Sequence, residues 1–213
     1  MLEKVQSLTH QRRELDWVAP IDSTIVRVYQ HGATLHRDTG DRDTGGARSN
    51  YKKFRTEPPD HAIGRSRGGL TAKNHLVCDG KGRALAFVLT PGQAADTSML
   101  INTVNEIRVA GRTGRPRFRP DRLLADKGYP SKANRAWLRE HGLDATIRSP
   151  TASSGPGRPI DFGDEQRERC KGRNVVERCF NKLKNCRGIA MRSDKTARNY
   201  HAALCLAATL QWV

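Results

Sequence analysis

The stretch Cys170-Lys-Gly-Arg-Asn-Val-Val-Glu-Arg-Cys-Phe-Asn-Lys-Leu-Lys184 decides how the rest of the chain is read. At about 100° per residue, Arg173, Glu177 and Lys184 fall within roughly 40° of one another on a helix, and Val176, Phe180 and Leu183 form an adjoining apolar stripe. The apolar stripe predicts docking onto a core, which would hold the charged stripe in place. A carboxylate flanked by cations on a docked helix suits a metal ligand beside a nucleic-acid backbone, the glutamate meeting the metal and the Arg and Lys meeting phosphates. Arg173 and Glu177 are equally an ordinary i, i+4 ion pair on a solvated face, worth roughly a few tenths of a kcal/mol. The choice rests on the remainder of the chain. Because Gly172 costs about 1 kcal/mol inside a helix, the helix starts anywhere between Cys170 and Asn174.

The chain has 213 residues, enough for one sizeable core. Lys and Arg number 38 against 22 Asp and Glu, a net charge of +16. Such an excess favours polyanionic partners, because each neutralised phosphate releases condensed counterions. A ribosomal or DNA-coating protein would share it, so the charge narrows the partner and not the chemistry. There is no basic segment followed by an apolar one at the start, and the longest apolar stretch, Ala202–Val213, is too short to span a bilayer. A soluble cytoplasmic protein with no membrane association is expected. Cys78, Cys170, Cys179, Cys186 and Cys205 form no CxxC pair and no zinc spacing. Free thiols are expected, with Cys179 and Cys186 packing on one flank of the helix.

From the start of the chain, Leu2–Leu8 carries a helical run, and Trp17–Tyr29 reads as a strand because β-branched residues dominate it, Pro20 marking an edge or bulge. Asp22 interrupts that run and needs a partner or a cation, unless it sits in a turn after Pro20. Gln30–Gly69 reads as a long, basic, mobile connection whose glycine-rich close offers Arg65 and Arg67 to phosphates. A hairpin follows, Leu70–Cys78 and Ala84–Leu89 about Asp79–Gly82. Next comes an amphipathic helix over Ala94–Ala110, capped by Asp96 or Thr97. The arginine-rich loop Gly111–Pro120 either grips DNA or is a solvated linker. Arg122–Ala125 is a short strand that delivers Asp126 at its C-terminal end, where ligands gather in open α/β sheets; a turn before Gly128 is the alternative for Asp126. Ser131 caps a helix to Glu140, Ala145–Arg148 is a strand, Thr151–Gly163 is a loop, and a last helix over Ala197–Trp212 turns Tyr200, Ala203, Leu204, Ala207 and Leu210 inward.

This order brings Asp22 and Asp126 onto neighbouring strands and lays Glu177 across them. Three converging carboxylates can hold two divalent ions, one generating an oxygen nucleophile and the other stabilising the leaving oxygen at phosphorus. Without a cation they would repel one another. The order of elements resembles the ribonuclease H-like fold, an α/β architecture with a mixed sheet flanked by helices, here one domain over residues 17–213 behind a short segment 1–16. The motifs resemble the DDE transposases of bacterial insertion sequences, of the IS-five type within the IS-four group. The segments that carry the likeness are Ile21-Asp-Ser-Thr24, Ala62–Lys73 (AIGRSRGGLTAK), Leu89–Asp96 (LTPGQAAD), Leu123–Tyr129 (LLADKGY), the helix at Arg173–Lys184 and RNYHAALCLAA in the last helix.

The family's helix signature runs tyrosine, two residues, arginine, three residues, glutamate, six residues, lysine. Arg173, Glu177 and Lys184 match it, and Cys170 stands in the tyrosine position. The resemblance implies that Asp22, Asp126 and Glu177 are catalytic and bind two Mg²⁺ ions, with Mn²⁺ able to substitute. It implies DNA contacts from Arg173 and Lys184, joined by Arg65, Arg67, Lys73 and Lys127. The implied reaction is hydrolysis at the end of a mobile element followed by attack of the freed 3′ hydroxyl on target DNA. The implied partners are double-stranded DNA, both element ends and target, and further copies of the chain assembled on it, in a bacterial nucleoid. Only 21 residues precede Asp22, where the family usually carries a helical segment for recognising terminal repeats. The expectation is therefore a downstream product that works with an upstream reading-frame product, or a truncated copy. The rival readings are an inactive DNA-binding remnant and a nuclease of the same fold.

Overall fold

The computed structural model describes residues 1–37, 57–126, 128–147 and 174–213. In chain order its elements are α1 (Leu2–Gln11), β1 (Val18–Val28), β2 (Gly64–Ser66), β3 (Gly69–Cys78), β4 (Ala84–Pro91), α2 (Asp96–Asn105), β5 (Arg122–Ala125), α3 (Lys132–Glu140), β6 (Asp144–Ile147), α4 (Asn174–Lys184), α5 (Arg187–Ala190), β7 (Met191–Arg192) and α6 (Ala197–Thr209). The strands form one mixed sheet in the order β2-β3-β1-β5-β6, with β4 added to β3 and β7 to β1.

The β-branched run after Trp17 supplies β1, the strand to which most of the others are laid. β3 pairs antiparallel with it from Ile21 to Arg27, β5 pairs parallel from Val18 to Ile21, and β7 pairs parallel at Arg27 and Val28. Pro20 stands opposite Leu124 and just before the first β3 pair, so its missing N–H takes nothing from the β3 ladder. Alternation along the strands sends Val26, Leu76 and Cys78 to one face, covered by α1, α4 and α6, and Ala19, Ile21 and Val77 to the other, covered by α2 and α3. The result is the expected mixed sheet flanked by helices.

Several expectations are corrected. The helix expected over Ala94–Ala110 covers only Asp96–Asn105, because Val109 leaves it to pair with Arg117 through N–H···O bonds of 2.9 and 2.8 Å. Ala95, not Asp96 or Thr97, occupies the N-cap, without a side-chain bond. Leu210 is 75% exposed because α6 stops at Thr209, and Ala208 turns inward in its place. Cys186 lies beyond α4, exposed at the N-cap of α5, whereas Cys179 is buried; both are free thiols. The elements α5 and β7 carried no signal of their own in the sequence. The long connection is partly regular, with a 3₁₀ turn at Gln30–Ala33 and strand β2. The remainder of that connection, 38–56, lies outside the described residues, as do the loop expected at Thr151–Gly163 and the sites at Cys170, Arg173 and Lys127. The expected run at Leu2–Leu8 is a helix that continues to Gln11, and Gln6 of that helix donates to the Ala84 and Leu85 carbonyls at 3.0 and 2.9 Å. Among the described residues no helix is long and apolar enough to cross a membrane.

Arg192 of β7 is fully buried and joins distant parts of the chain. Its guanidinium donates to the carbonyls of His61 (2.8 Å), Ala62 (3.3 Å), Asp194 (3.0 Å) and Lys195 (3.4 Å) and lies 5.2 Å from the Tyr200 ring centre. His61 and Ala62 hold left-handed backbone, φ 54° and 52°, which non-glycine residues keep only where surroundings impose it. Burial lowers the Arg192 pKa to about 10, still leaving it charged at neutral pH. Glu57 secures the same region by accepting from Ala197 N (2.6 Å) and Arg198 N (3.0 Å) at the positive end of α6. Arg192→Met would leave four carbonyls, that of Ala62 fully buried, without their donor and should lower unfolding free energy by about 3 kcal/mol, read by urea denaturation.

Candidate active site

The last β1–β5 pair joins Ile21 to Ala125, and the next residue on each strand is an aspartate. Asp22 and Asp126 thus stand at one register step on one face of the sheet, on strands about 4.8 Å apart. Asp22 lies in mid-strand, which excludes the turn alternative, and its Oδ1 accepts from Ser23 N at 2.8 Å. The turn after Asp126 is clamped: Tyr129 N donates to Asp126 O (3.1 Å), and Tyr129 O accepts from Thr97 Oγ1 (3.3 Å) and Asn134 Nδ2 (2.9 Å). Helix α4 covers this face, its stripe of Val176, Phe180 and Leu183 buried as expected. Glu177, in the first turn of α4, is exposed at the surface beside the strand acids. At the other end of α4, Lys184 Nζ donates to Thr24 Oγ1 at 2.7 Å, tying the helix to β1 two residues beyond Asp22.

Burial raises the Asp22 carboxyl above its ordinary pKa. The bond from Ser23 N pulls it part of the way back, while the charges of Asp126, Asp96 and Glu177 push it further up. These acids therefore repel one another in the absence of a cation. Tyr129, 1% exposed, has its phenol pushed well upward by burial and by the charges of Asp96, Asp22 and Asp126, against an opposing pull from the Ser23 hydroxyl. Hard carboxylate oxygens that repel one another suit a hard divalent cation better than a soft one. The donors are gathered but not closed into a cage: among the described residues no three His, Cys, Asp or Glu side chains stand together at the spacing that would hold an ion.

The opposite face carries a polar cluster that sequence reasoning missed. Asp96 does not cap α2. Its Oδ1 accepts from Ser23 Oγ (2.7 Å) and Lys73 Nζ (3.1 Å), and lies 3.8 Å from His75 Nδ1. Lys73, expected among the DNA contacts, is turned into the protein at 9% exposure, its ammonium also bound to Ala94 O at 2.7 Å. Lys73 and His75, two ionisable residues at alternate positions of one strand, were the available signal. A Cβ on Gly128 would stand 3.4 Å from Asp96 Oδ2, so the turn after Asp126 passes close to this cluster.

With this geometry established, comparison with known proteins identifies the chain. Residues 13–212 match the transposase DDE domain family. The chain belongs to that family. It is 31% identical over 140 residues to a putative transposase for insertion sequence element IS402 of Burkholderia cepacia, covering 65% of this chain and 61% of that protein. It is 30% identical over 147 residues to a putative transposase for insertion sequence element IS6501 of Brucella ovis, covering 68% of this chain and 99% of that protein. The chain thus spans less than two thirds of the length of the first relative and nearly all of the second. The mixed sheet between helices is consistent with the ribonuclease H-like fold of DDE transposases, enzymes that act on DNA and generally use divalent metal ions.

In this DDE domain Arg65 and Arg67 are exposed, on β2 and the turn that follows it. That turn lies near the Arg27 end of β1, five residues or about 17 Å of strand from Asp22, so the structure does not bring them to the acids. His75 is fully buried, and its pKa is lowered to about 4, by burial first and by Lys73, against the opposing pull of Asp96. Its unfolded pKa is near 6.5, so between that pH and about 4 the unfolded chain binds a proton that the folded chain refuses. His75 therefore contributes stability that is present above pH 6.5 and is lost as the pH falls toward 4, about 3 kcal/mol in all. Urea melts from pH 7 to pH 4 should show that loss, and His75→Gln should remove this part of the slope.

Proposed function

We propose that the chain is a DNA strand-cleaving and strand-transferring transposase of the IS-five type, with Asp22, Asp126 and Glu177 as its metal-holding acids. The observation that carries the reading is the placement of two aspartates at one register step, on the face covered by the helix that bears Glu177. Two divalent ions held there, Mg²⁺ or Mn²⁺, would supply an activated oxygen nucleophile and stabilise the departing oxygen of a phosphodiester. Asp22 and Asp126 are set by the sheet, and Glu177 is exposed at the start of α4, able to close upon the ions from outside. Burial makes Asp22 the acid most in need of that positive charge. Asp96 and Lys73 act on Asp22 from behind, by fixing Ser23 and so the strand direction at that point.

Lys184, beside Thr24, and Arg173 meet the phosphates flanking the scissile bond in this reading, with Lys127, Arg65 and Arg67 extending the DNA contact. The substrates are double-stranded element ends and target DNA, joined by more than one copy of the chain. Purified chain with labelled DNA and Mg²⁺ or Mn²⁺ should give nicked and then joined products. Asp22→Asn, Asp126→Asn and Glu177→Gln should each lose several kcal/mol of transition-state stabilisation, on the order of 10³-fold in rate. Retention of full activity by all three would overturn the assignment. Cut but never joined products would make the chain a nuclease, and salt-sensitive binding without cutting would make it a remnant.

The same acids give a readout that needs no turnover. Millimolar Mn²⁺ at ten times its dissociation constant should stabilise the fold by about 1.4 kcal/mol, seen as a rise in melting temperature. Asp22→Asn should abolish that rise.

A further inference from the structure

The arginine-rich loop between α2 and β5 is a built structure with a cavity. Residues 107–121 hold five arginines and a single acid. The Val109–Arg117 bridge closes the loop, Asp121 N bonds Trp17 O at 3.0 Å, and Ile107 and Val109 are buried at its base. A cavity of about 640 Å³ is lined by Asn105, Arg115, Arg117, Phe118 and Arg119.

The arginines divide into those that build the cavity and those that face it. Arg117 is committed: its guanidinium lies 3.9 Å from the Trp17 ring centre, its Nε donates to Arg119 O at 3.0 Å, and its Nη2 pairs with Asp121. Arg119 spends one donor on His141 O at 3.1 Å, and a guanidinium carries five. Arg115 and Arg108 lie over the Phe118 ring at 5.5 and 6.0 Å, an arrangement that steadies the cation and leaves its N–H edge open. Among the described residues no carboxylate pairs with Arg108, Arg112, Arg115 or Arg119.

We propose that this loop is a second nucleic-acid site, which binds the phosphodiester backbone of duplex DNA away from the reacting position, chiefly through Arg115 and Arg119. Planar guanidinium forks take phosphate oxygens in pairs, and such contacts position DNA without reading its sequence. The loop enters β5 at its N-terminal end and Asp126 leaves it at the C-terminal end. Between them lies the strand Arg122–Ala125, rising about 3.3 Å per residue, which sets the loop and Asp126 at opposite ends of β5. DNA held by the loop would therefore lie away from Asp126. This rests on the family's action on DNA and not on the roles of Asp22, Asp126 or Glu177. An acidic polypeptide is the other polyanion of suitable chemistry, and the +16 charge of a chain from a DNA-acting family favours nucleic acid.

The test is fluorescence anisotropy of a labelled 30-base-pair duplex, about three helical turns, in EDTA across a salt series, so that the acids play no part. Arg115→Ala with Arg119→Ala should make the slope of log affinity against log salt shallower by about 1.8, two phosphate contacts at about 0.9 each. Arg115→Lys with Arg119→Lys should keep most of the slope, and Lys4→Ala with Arg12→Ala, the same charge removed from exposed positions of α1 and its end, should change it far less. Arg115→Glu alone, at an exposed side chain that lies over Phe118, serves if the double variant does not fold, and should still lower the slope by about 1. An unchanged slope, or an equal fall in the α1 control, would overturn the proposal. So would poly-glutamate that binds as tightly as the duplex and depends equally on Arg115 and Arg119. Because EDTA removes the cations that the acids need, a failure here is distinct from a failure of the acid triad.

Discussion

The structure depends on a change of neighbour along β1. β5 stops at Ala125, opposite Ile21, while β7 does not begin until Arg27, so from Asp22 to Val26 the strand is paired on one side only. That gap frees Asp22 and the residue after β5 from a further ladder and leaves room for their side chains beneath α4. A longer β5 would carry Asp126 into the sheet as one more paired residue. The site exists because a four-residue strand ends where it does, and the clamp through Tyr129, Thr97 and Asn134 fixes the turn beyond that end.

The two faces of the sheet treat their acids in opposite ways. Asp96 is neutralised within the fold by Lys73 and receives a hydroxyl from Ser23, so its charge is a finished structural pair. Asp22, one residue away in sequence from Ser23 and on the other face, has no such cation among the described ion pairs. Burial and the charges of Asp126, Asp96 and Glu177 instead hold its carboxyl above the ordinary range.

Much of this was legible in the sequence because the controlling features are local. The β-branched run gave β1, the 3.6-residue stripe gave α4, the Ser131 cap gave α3, and the two aspartates fell where strands were expected. What escaped was decided by tertiary partners. The end of α2 was lost to a bridge between Val109 and Arg117, and a two-residue strand at Met191 is too short to carry a period. Asp96 looks like a cap in one dimension, and only the register that sets Ser23 opposite His75 shows that its carboxylate faces Lys73. Arg65 and Arg67 belonged to a turn whose distance from the acids depends on which end of β1 it meets.

Charge is distributed accordingly. Near the acids the described cations are spent, Lys73 on Asp96 and Ala94, Lys184 on Thr24. At the opposite end of β5, Arg117 is paired with Asp121 and Arg122 with Asp144, whereas Arg115 lies over the Phe118 ring and Arg119 on a carbonyl, so these two keep their charge available to solvent. A polyanion drawn by a net charge of +16 would otherwise settle wherever lysines are densest. In the proposed reading, guanidiniums at one end of the strand and carboxylates at the other would give an approaching duplex a direction, its backbone attracted to the first and kept from the second until cations intervene. That polarity requires β5 to be short and both of its ends to be rigid, and the hydrogen bonds at Trp17 and Tyr129 provide that rigidity.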